Sequence, residues 1–131
     1  IAVALDFSDN DFKLISGAIS QAGKNKEFIL IHIVESPAAK LHGDITADYE
    51  TDKDRERLSL IVNQMQSKGY KAKGVLGFKE RSKELIRIIK EENAEMLVIG
   101  AHGHKGIKDF IYGTTIDKVR HELHIPVFIV K

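Results

Sequence analysis

Several features that would restrict the function of this 131-residue sequence are missing from it. There is no cysteine, so disulfides and thiolate-ligated metal sites are both excluded. No apolar run approaches the roughly 20 residues that a membrane-spanning helix needs, and no secretory signal is visible. We therefore expect a cytoplasmic domain that does not itself insert into a membrane.

Neither positive nor negative charge is concentrated in any part of the sequence. Lysine and arginine total 20 and aspartate and glutamate 19, which gives a formal net charge of +1. Nucleic-acid binding would need a concentrated basic patch, so no nucleic-acid partner is expected. The length and the 43% hydrophobic content predict one globular domain over residues 1–131. Because the chain begins inside an apolar run, we also consider that this domain was cut from a longer protein.

Common catalytic motifs are absent as well. There is no Walker A sequence, no GxGxxG after the first apolar run, and no order of residues that suggests a Ser-His-Asp triad. No second carboxylate is expected to pair with Asp6. Residues 74–78 supply no aspartate where a receiver domain would carry its phospho-acceptor. These absences count against hydrolases with a nucleophilic triad, P-loop enzymes and receiver domains.

Short apolar runs alternate regularly with amphipathic segments. Helical spacing predicts helices, the first with Phe12, Ile15, Ala18 and Ile19 on its inner face. Alternation of strands and helices predicts an α/β domain, a three-layer Rossmann-like fold with a five-stranded parallel sheet between helices. The predicted strands are 1–5, 27–34, 70–76 (a polar edge strand), 96–99 and 125–130, and the predicted helices are 12–22, 55–68, 82–92 and 114–123.

A glycine-containing segment follows the fourth predicted strand. Gly100 and Gly103 come first, and Gly113, Thr114 and Thr115 open the last helical pattern. Glycine lets backbone N–H groups approach an anion closely, and a helix start with hydroxyl groups adds donors. The segment therefore predicts a phosphate-binding loop. The alternative interpretation, for each residue taken alone, is that the glycines only form turns and the threonines only cap the helix.

Two further residues near the strand ends could contact a ligand. His102 lies inside the glycine segment and could bond a phosphate or help to hold a divalent ion. Its alternative is a solvated loop position. Asp6 follows the first strand, where its carboxylate could accept hydrogen bonds from ribose or adenine. Its alternative role is to cap the following helix. His32, inside a buried strand, is expected to be a hydrogen-bonded core histidine.

Three landmarks of the sequence resemble the universal stress protein family. Gly100-x-x-Gly103, nine residues and Gly113-Thr114 are similar to its G-x2-G-x9-G-[S/T] nucleotide-binding motif. The opening IAVALDFS at 1–8 and the closing HIPVFIVK at 124–131 resemble its first and last strands, so the resemblance covers the whole chain. It implies an adenine nucleotide α-hydrolase-like fold with strand order 3-2-1-4-5, and ligands at the switch point between strands one and four.

The resemblance also implies a ligand, a set of contacts and a partner. The ligand would be ATP, AMP or ADP, with Mg²⁺. The partner would be a second copy of the chain, joined through strand 125–130 as a homodimer.

The expected function is a nucleotide-responsive regulatory module. The alternatives are a slow ATPase and an interaction domain, such as one fused to a transporter, that needs no nucleotide. The implied contacts are Asp6 and the Ile33 backbone for the nucleoside, and Gly103, Gly113, Thr114 and Thr115 for the phosphates.

Overall fold

Strands and helices alternate along the chain in the computed structural model, which describes residues 1–34, 49–78, 80–101 and 109–131. All strand pairs are parallel, and the sheet order is β3-β2-β1-β4-β5, as predicted. The elements of the described chain are β1 (Ala2–Leu5), α1 (Asp11–Ala22), β2 (Glu27–Ile33), α2 (Tyr49–Ser67), β3 (Lys71–Gly77), α3 (Arg81–Glu91), β4 (Leu97–Gly100), α4 (Asp109–Glu122) and β5 (Val127–Val130).

The core is divided between the two faces of the sheet. Successive side chains of a strand point to opposite faces, so Ile29 and Ile31 of β2 face one layer and Phe28 and Leu30 the other. The first layer contains α3 and α4, and the second contains α1 and α2. Both faces of the central strands are buried, which explains why those strands are almost continuously apolar in the sequence.

Helix α1 buries the predicted stripe except at Phe12, because Ala18 is fully buried and Ile15 and Ile19 pack, partly buried, against the core. Its buried residues are Asp11, Leu14 and Ala18, whereas Phe12 is 66% exposed. Residues at i, i+3 and i+7 share one helix face, so the placement of Asp11 inside turns Phe12 outward. The predicted helix end is confirmed, because Gly23 takes a φ of 79° and donates its N–H to the Ile19 carbonyl.

Helices α2 and α3 present the apolar faces that the sequence predicts. Leu58, Val62 and Met65 of α2 are buried against the sheet, and so is Leu85 of α3. Helix α2 begins at Tyr49, earlier than predicted. The rest of the long connection, residues 35–48, lies outside the described residues. The α2 face packs closely on β3, since a Cβ at Gly74 would lie 2.8 Å from Leu58 Cγ.

The two edges of the sheet differ in chemistry. Strand β3 forms one edge, as predicted, and carries the exposed Lys71 and Lys73. Strand β5 forms the other edge with the apolar sequence VFIV, in which Ile129 is 42% exposed. In the part of the chain that the structure describes, no helix has the length and apolar character needed to cross a bilayer.

Candidate functional site

The carboxyl ends of β1 and β4 lie side by side at the centre of the sheet. The two strands are neighbours, but their chain connections run in opposite directions across the sheet, so this is the switch point. The paired register between them ends at Val3 and Val98, before either strand ends. Asp6 directly follows β1 and Gly100 is the last residue of β4. The structure therefore brings these two predicted site residues to adjacent strand ends.

Asp6 is part of a tight turn at this switch point. Its Oδ1 accepts the Ser8 backbone N–H at 2.9 Å, so its carboxylate stabilises the turn before α1. The residue is half-buried. A carboxylate has two oxygens and about four lone-pair positions, so this hydrogen bond is compatible with a contact to a ligand. The capping alternative is thus confirmed as one role of Asp6, and the nucleoside contact stays a prediction.

Asp11 is a site residue that the sequence analysis missed. Its carboxylate is buried, Oδ1 accepts the Asp6 N–H at 3.2 Å, and Oδ2 accepts the Phe7 N–H at 2.9 Å. Its pKa is raised to about 7: burial is the largest cause, the two backbone N–H groups lower the pKa, and the neighbouring Asp6 carboxylate, which bonds its side chain, raises it. The expectation that no second carboxylate pairs with Asp6 is therefore wrong. An aspartate in a first helical turn is so common that its sequence position gave no signal of this role.

Phe7 connects the turn to β2. It adopts a φ of 60°, which is uncommon for a residue other than glycine. Its ring stacks on the His32 imidazole, with centroids 3.8 Å apart and planes 20° apart. His32 is also hydrogen-bonded, through Nδ1 to the Leu5 carbonyl at 3.0 Å and through Nε2 to Asp54 Oδ2 at 3.2 Å. The prediction of a hydrogen-bonded core histidine is confirmed.

Helix α2 reaches the same turn through Arg57. Its guanidinium carbon lies 4.8 Å from the centre of the Phe7 ring, and its Nη2 donates to the Phe7 carbonyl at 3.2 Å. This residue fastens α2 to the turn after β1, and Asp54 fastens α2 to His32 of β2. Neither side chain was identified from the sequence, because a contact between residues 50 positions apart leaves no local pattern.

The remaining predicted site residues have different environments. Ile33 is 8% exposed and its side chain belongs to the core, as expected; its backbone contact to adenine stays a prediction. Gly100 is half-buried at the end of β4. His102 and Gly103 lie outside the described residues, so their predicted phosphate contacts are untested.

The predicted helix start at Gly113 is wrong. Helix α4 begins at Asp109, so Gly113, Thr114 and Thr115 lie in its second turn. An aspartate is itself favoured in a first helical turn, and a glycine inside a helix costs only about 1 kcal/mol, so the helix extends through the glycine. The backbone N–H groups of Thr114 and Thr115 therefore belong to the helical hydrogen-bond ladder rather than to its open N-terminus.

The two threonines also differ in exposure. Thr114 is exposed at the surface of α4, whereas Thr115 is 3% exposed. The Thr115 hydroxyl accepts from the buried Ser82 Oγ at 3.4 Å, which connects α4 to α3. Thr115 thus contributes to packing between helices, and its predicted phosphate contact stays a prediction. Across the residues that the structure describes, no group of three or more His, Asp or Glu side chains could hold a metal ion.

Comparison with known proteins identifies the family. The model of the universal stress protein family matches residues 1–131, the whole chain. The chain belongs to the universal stress protein family. The curated universal stress protein YxiE of Bacillus subtilis is 24% identical over 98% of this chain and 96% of its own length. Universal stress protein MJ0577 of Methanocaldococcus jannaschii is 22% identical over 62% of this chain, and the alignment spans 50% of that relative.

Solved structures of universal stress proteins share the fold. A structure of MJ0577 superposes with a TM-score of 0.78 at 20% identity, covering 99% of this chain and 94% of that one. The universal stress protein of Archaeoglobus fulgidus in complex with dAMP has a TM-score of 0.71 at 22% identity, covering 99% and 95%. At these identities the likeness establishes the common α/β architecture and strand order.

Proposed function

We propose that this universal stress protein domain binds an adenine nucleotide at the carboxyl ends of β1 and β4 and acts as a nucleotide-responsive regulatory module. The observation that carries the proposal is the position of Asp6 and Gly100 at adjacent strand ends beside the switch point. Ligands of open parallel sheets bind at this place. The similar Archaeoglobus fulgidus protein was solved in complex with dAMP, which supports an adenine nucleotide as the ligand class.

Asp6 is the residue proposed to recognise the nucleoside. Ribose hydroxyls and the adenine amino group are hydrogen-bond donors, and a carboxylate is an acceptor with several lone pairs. The Ser8 N–H holds one oxygen of Asp6, which restricts the rotation of the carboxylate before a ligand arrives. The backbone of Ile33, at the end of the neighbouring β2, would contact the base.

The phosphates are proposed to lie on the glycine segment that follows β4. Gly100, Gly103, Gly113 and Thr114 retain the family spacing, and Thr114 presents its side chain at the surface of α4. Since the amides of Thr114 and Thr115 belong to the helix, we assign phosphate binding to the exposed Thr114 hydroxyl and to the amides of the glycine segment before α4, with His102 as a further proposed contact. ATP with Mg²⁺ is the proposed physiological ligand, and the phosphates rather than a protein cluster would hold the ion.

Calorimetric titration with ATP and Mg²⁺, with AMP and GTP alongside, tests the proposal. The informative variant is Asp6→Asn, because the asparagine Oδ1 can still accept the Ser8 N–H while the charge and one acceptor oxygen are lost. A hydrogen bond to a charged group contributes about 1.5–3 kcal/mol, so ATP and AMP affinity should fall roughly 10- to 100-fold. Asp9→Asn, an exposed position in the same turn, is the matched control and should bind like wild type.

The same titration has outcomes that contradict the proposal. No detectable binding to the folded wild-type domain would exclude a nucleotide-dependent role. Binding that Asp6→Asn leaves unchanged would place the ligand elsewhere. Gly113→Val provides an independent variant in the glycine segment, and it should weaken ATP more than adenosine if the phosphates lie there.

A second proposal concerns association of two copies through β5. This edge strand is apolar, and Ile129 is 42% exposed, which favours pairing with another sheet edge. We expect Ile129→Lys to shift the domain from dimer to monomer in sedimentation-velocity measurements at micromolar concentration. Lys71→Glu at the opposite edge is the control and should leave the dimer intact. A wild-type domain that sediments as a monomer would contradict this proposal.

A further inference from the structure

The backbone around Asp6 is held by a carboxylate that lies on the next helix. Asp11 Oδ1 accepts the N–H of Asp6 at 3.2 Å, and Asp11 Oδ2 accepts the N–H of Phe7 at 2.9 Å. Both oxygens of one buried side chain thus bind consecutive N–H groups, and the first of these belongs to the residue proposed to recognise the nucleoside. The position of the Asp6 main chain therefore depends directly on Asp11.

Asp11 is itself anchored to the core. It lies in the first turn of α1 and shares a helix face with Leu14 and Ala18, which are 3% and 0% exposed. A side chain on a packed helix can move little, so it places its hydrogen-bond partners more precisely than a loop residue could. Asp11 thereby transmits the position of α1 to the turn after β1.

The turn needs such an anchor because its backbone is strained at Phe7. Phe7 has a φ of 60°, in the left-handed region that residues with a Cβ rarely occupy. Such a conformation persists only where the surroundings hold it in place. Asp11 holds the N–H of Phe7, and Arg57 holds its carbonyl. Without Asp11, we expect the main chain to relax at Phe7 and to rotate the preceding Asp6.

Asp6 is constrained at its side chain as well as at its main chain. Its Oδ1 accepts the Ser8 N–H at 2.9 Å, while its own N–H is bound by Asp11. An acceptor that is already fixed loses less conformational freedom when a ligand binds, and this raises affinity. The two contacts together therefore favour binding of a ligand that donates hydrogen bonds to the Asp6 carboxylate.

Stabilisation of the helix does not by itself account for Asp11. Aspartates in a first helical turn ordinarily stabilise the helix as charged groups. The pKa of Asp11 is instead raised to about 7, chiefly because burial disfavours its charge, although the two N–H groups lower it. The charged form thus costs stability at neutral pH and above. A buried carboxylate of this kind beside a proposed ligand site is typical of a functional residue.

We infer that Asp11 is a positioning residue for nucleotide recognition: by holding the N–H groups of Asp6 and Phe7, it fixes the Asp6 carboxylate in the orientation that accepts hydrogen bonds from the nucleoside. The inference rests on the proposed nucleotide site and adds a residue to it. Asp11 does not touch the ligand and acts through Asp6. Loss of this fixation should lower the affinity for AMP roughly three- to tenfold, the effect of one net hydrogen bond.

A double-mutant cycle of Asp11→Asn with Asp6→Asn tests the inference. AMP affinity is measured by calorimetry or, where binding is weak, by NMR chemical shifts. Asparagine has one acceptor oxygen for the two N–H groups, so at least one of them is released. Asp11→Asn should lower affinity roughly three- to tenfold in the wild-type background but less than about twofold in the Asp6→Asn background, because the residue that it positions no longer contributes fully. The effect of the removed charge on the AMP phosphate is the same in both backgrounds, so it cancels.

Two control variants separate positioning from a general loss of stability. Val62→Ala leaves a cavity in the core beneath α2 and should lower stability without changing AMP affinity. Asp9→Asn removes an exposed charge from the same turn and should also bind AMP like wild type. The titrations are made at about pH 8, where wild type and Asp11→Asn are expected to be closest in stability. Circular dichroism establishes that each variant is folded.

A second substitution covers the case in which Asp11→Asn does not fold. Asp11→Ala removes both acceptor oxygens, enters the same cycle with Asp6→Asn, and should lower AMP affinity at least as much. Failure of both variants to fold would make Asp11 a residue required for the fold and would overturn the inference.

The outcomes separate the inference from the proposed function. Equal losses of affinity in the two backgrounds would show that Asp11 acts independently of Asp6, which overturns the inference and leaves the nucleotide site intact. Unchanged affinity in Asp11→Asn and Asp11→Ala would do the same. Absence of AMP binding to wild type, or an Asp6→Asn variant that binds normally, would overturn the proposed site and the inference together. A loss that largely disappears in the Asp6→Asn background, with both controls unchanged, supports the inference.

Discussion

Truncation of Leu85 to alanine is expected to lower the free energy of unfolding by about 2–5 kcal/mol. This side chain of α3 is 1% exposed and belongs to the core layer beneath α3 and α4. Removing it leaves a cavity that the packed neighbours can fill only in part. Chemical denaturation followed by circular dichroism measures the change.

Leu60→Ala is the matched control for this prediction. Leu60 has the same chemistry and also lies in a helix, but it is 62% exposed on α2. Its truncation should change stability by less than about 0.5 kcal/mol. Equal losses for the two variants would contradict the assignment of Leu85 to the core.

The stability of the domain is expected to fall as pH rises from about 4 to about 7, through the titration of Asp11. Its pKa in the folded protein is about 7, against 3.8 for an unperturbed aspartate. In this window the folded state keeps a proton that the unfolded state has lost, so the free energy of unfolding decreases with pH. The slope contributed by one group is at most about 1.4 kcal/mol per pH unit, and it vanishes above the folded pKa.

Asp11→Asn isolates this contribution. The contributions of all other titrating groups to the free energy of unfolding cancel when variant and wild type are compared at each pH. Asparagine has one acceptor oxygen for two backbone N–H groups, so the variant should be less stable than wild type at about pH 5 by about 1–2 kcal/mol. This difference in stability should shrink or reverse at about pH 8, where the Asp11 carboxylate of the wild type is charged and buried. Asp9→Asn serves as the exposed control. A constant difference between wild type and Asp11→Asn across pH would contradict a raised pKa for Asp11.

The sheet could be predicted from the sequence because its determinants are local. Apolar runs such as 27–34 lie between turn residues, and each face of the strand is buried, so pattern and packing agree. The strand order came from the family resemblance, and the structure has the same order. The position of Asp6 at the switch point followed from these two facts together.

The errors arose where a residue's environment is decided by contacts or backbone conformations that leave no pattern in the sequence. An apolar pattern selects Phe12 for the inner face of α1, yet Asp11 is the buried residue there because two N–H groups of the preceding turn bind its carboxylate. That arrangement depends on the left-handed backbone of Phe7, which the residue type does not reveal. Likewise, glycine and threonine are good capping residues, but α4 continues through them from Asp109.

The chemical difference between the two sheet edges limits how copies of this chain can assemble. A sheet that can add a neighbour at both edges is able to grow into an open filament. Lysines 71 and 73 on β3 make a further strand unfavourable at that side, whereas the apolar β5 leaves the other side able to pair. If two copies join through β5 about a twofold axis, both remaining outer edges are the lysine-bearing ones. Growth then stops at a closed pair, and the distribution of charge between the edges sets the stoichiometry.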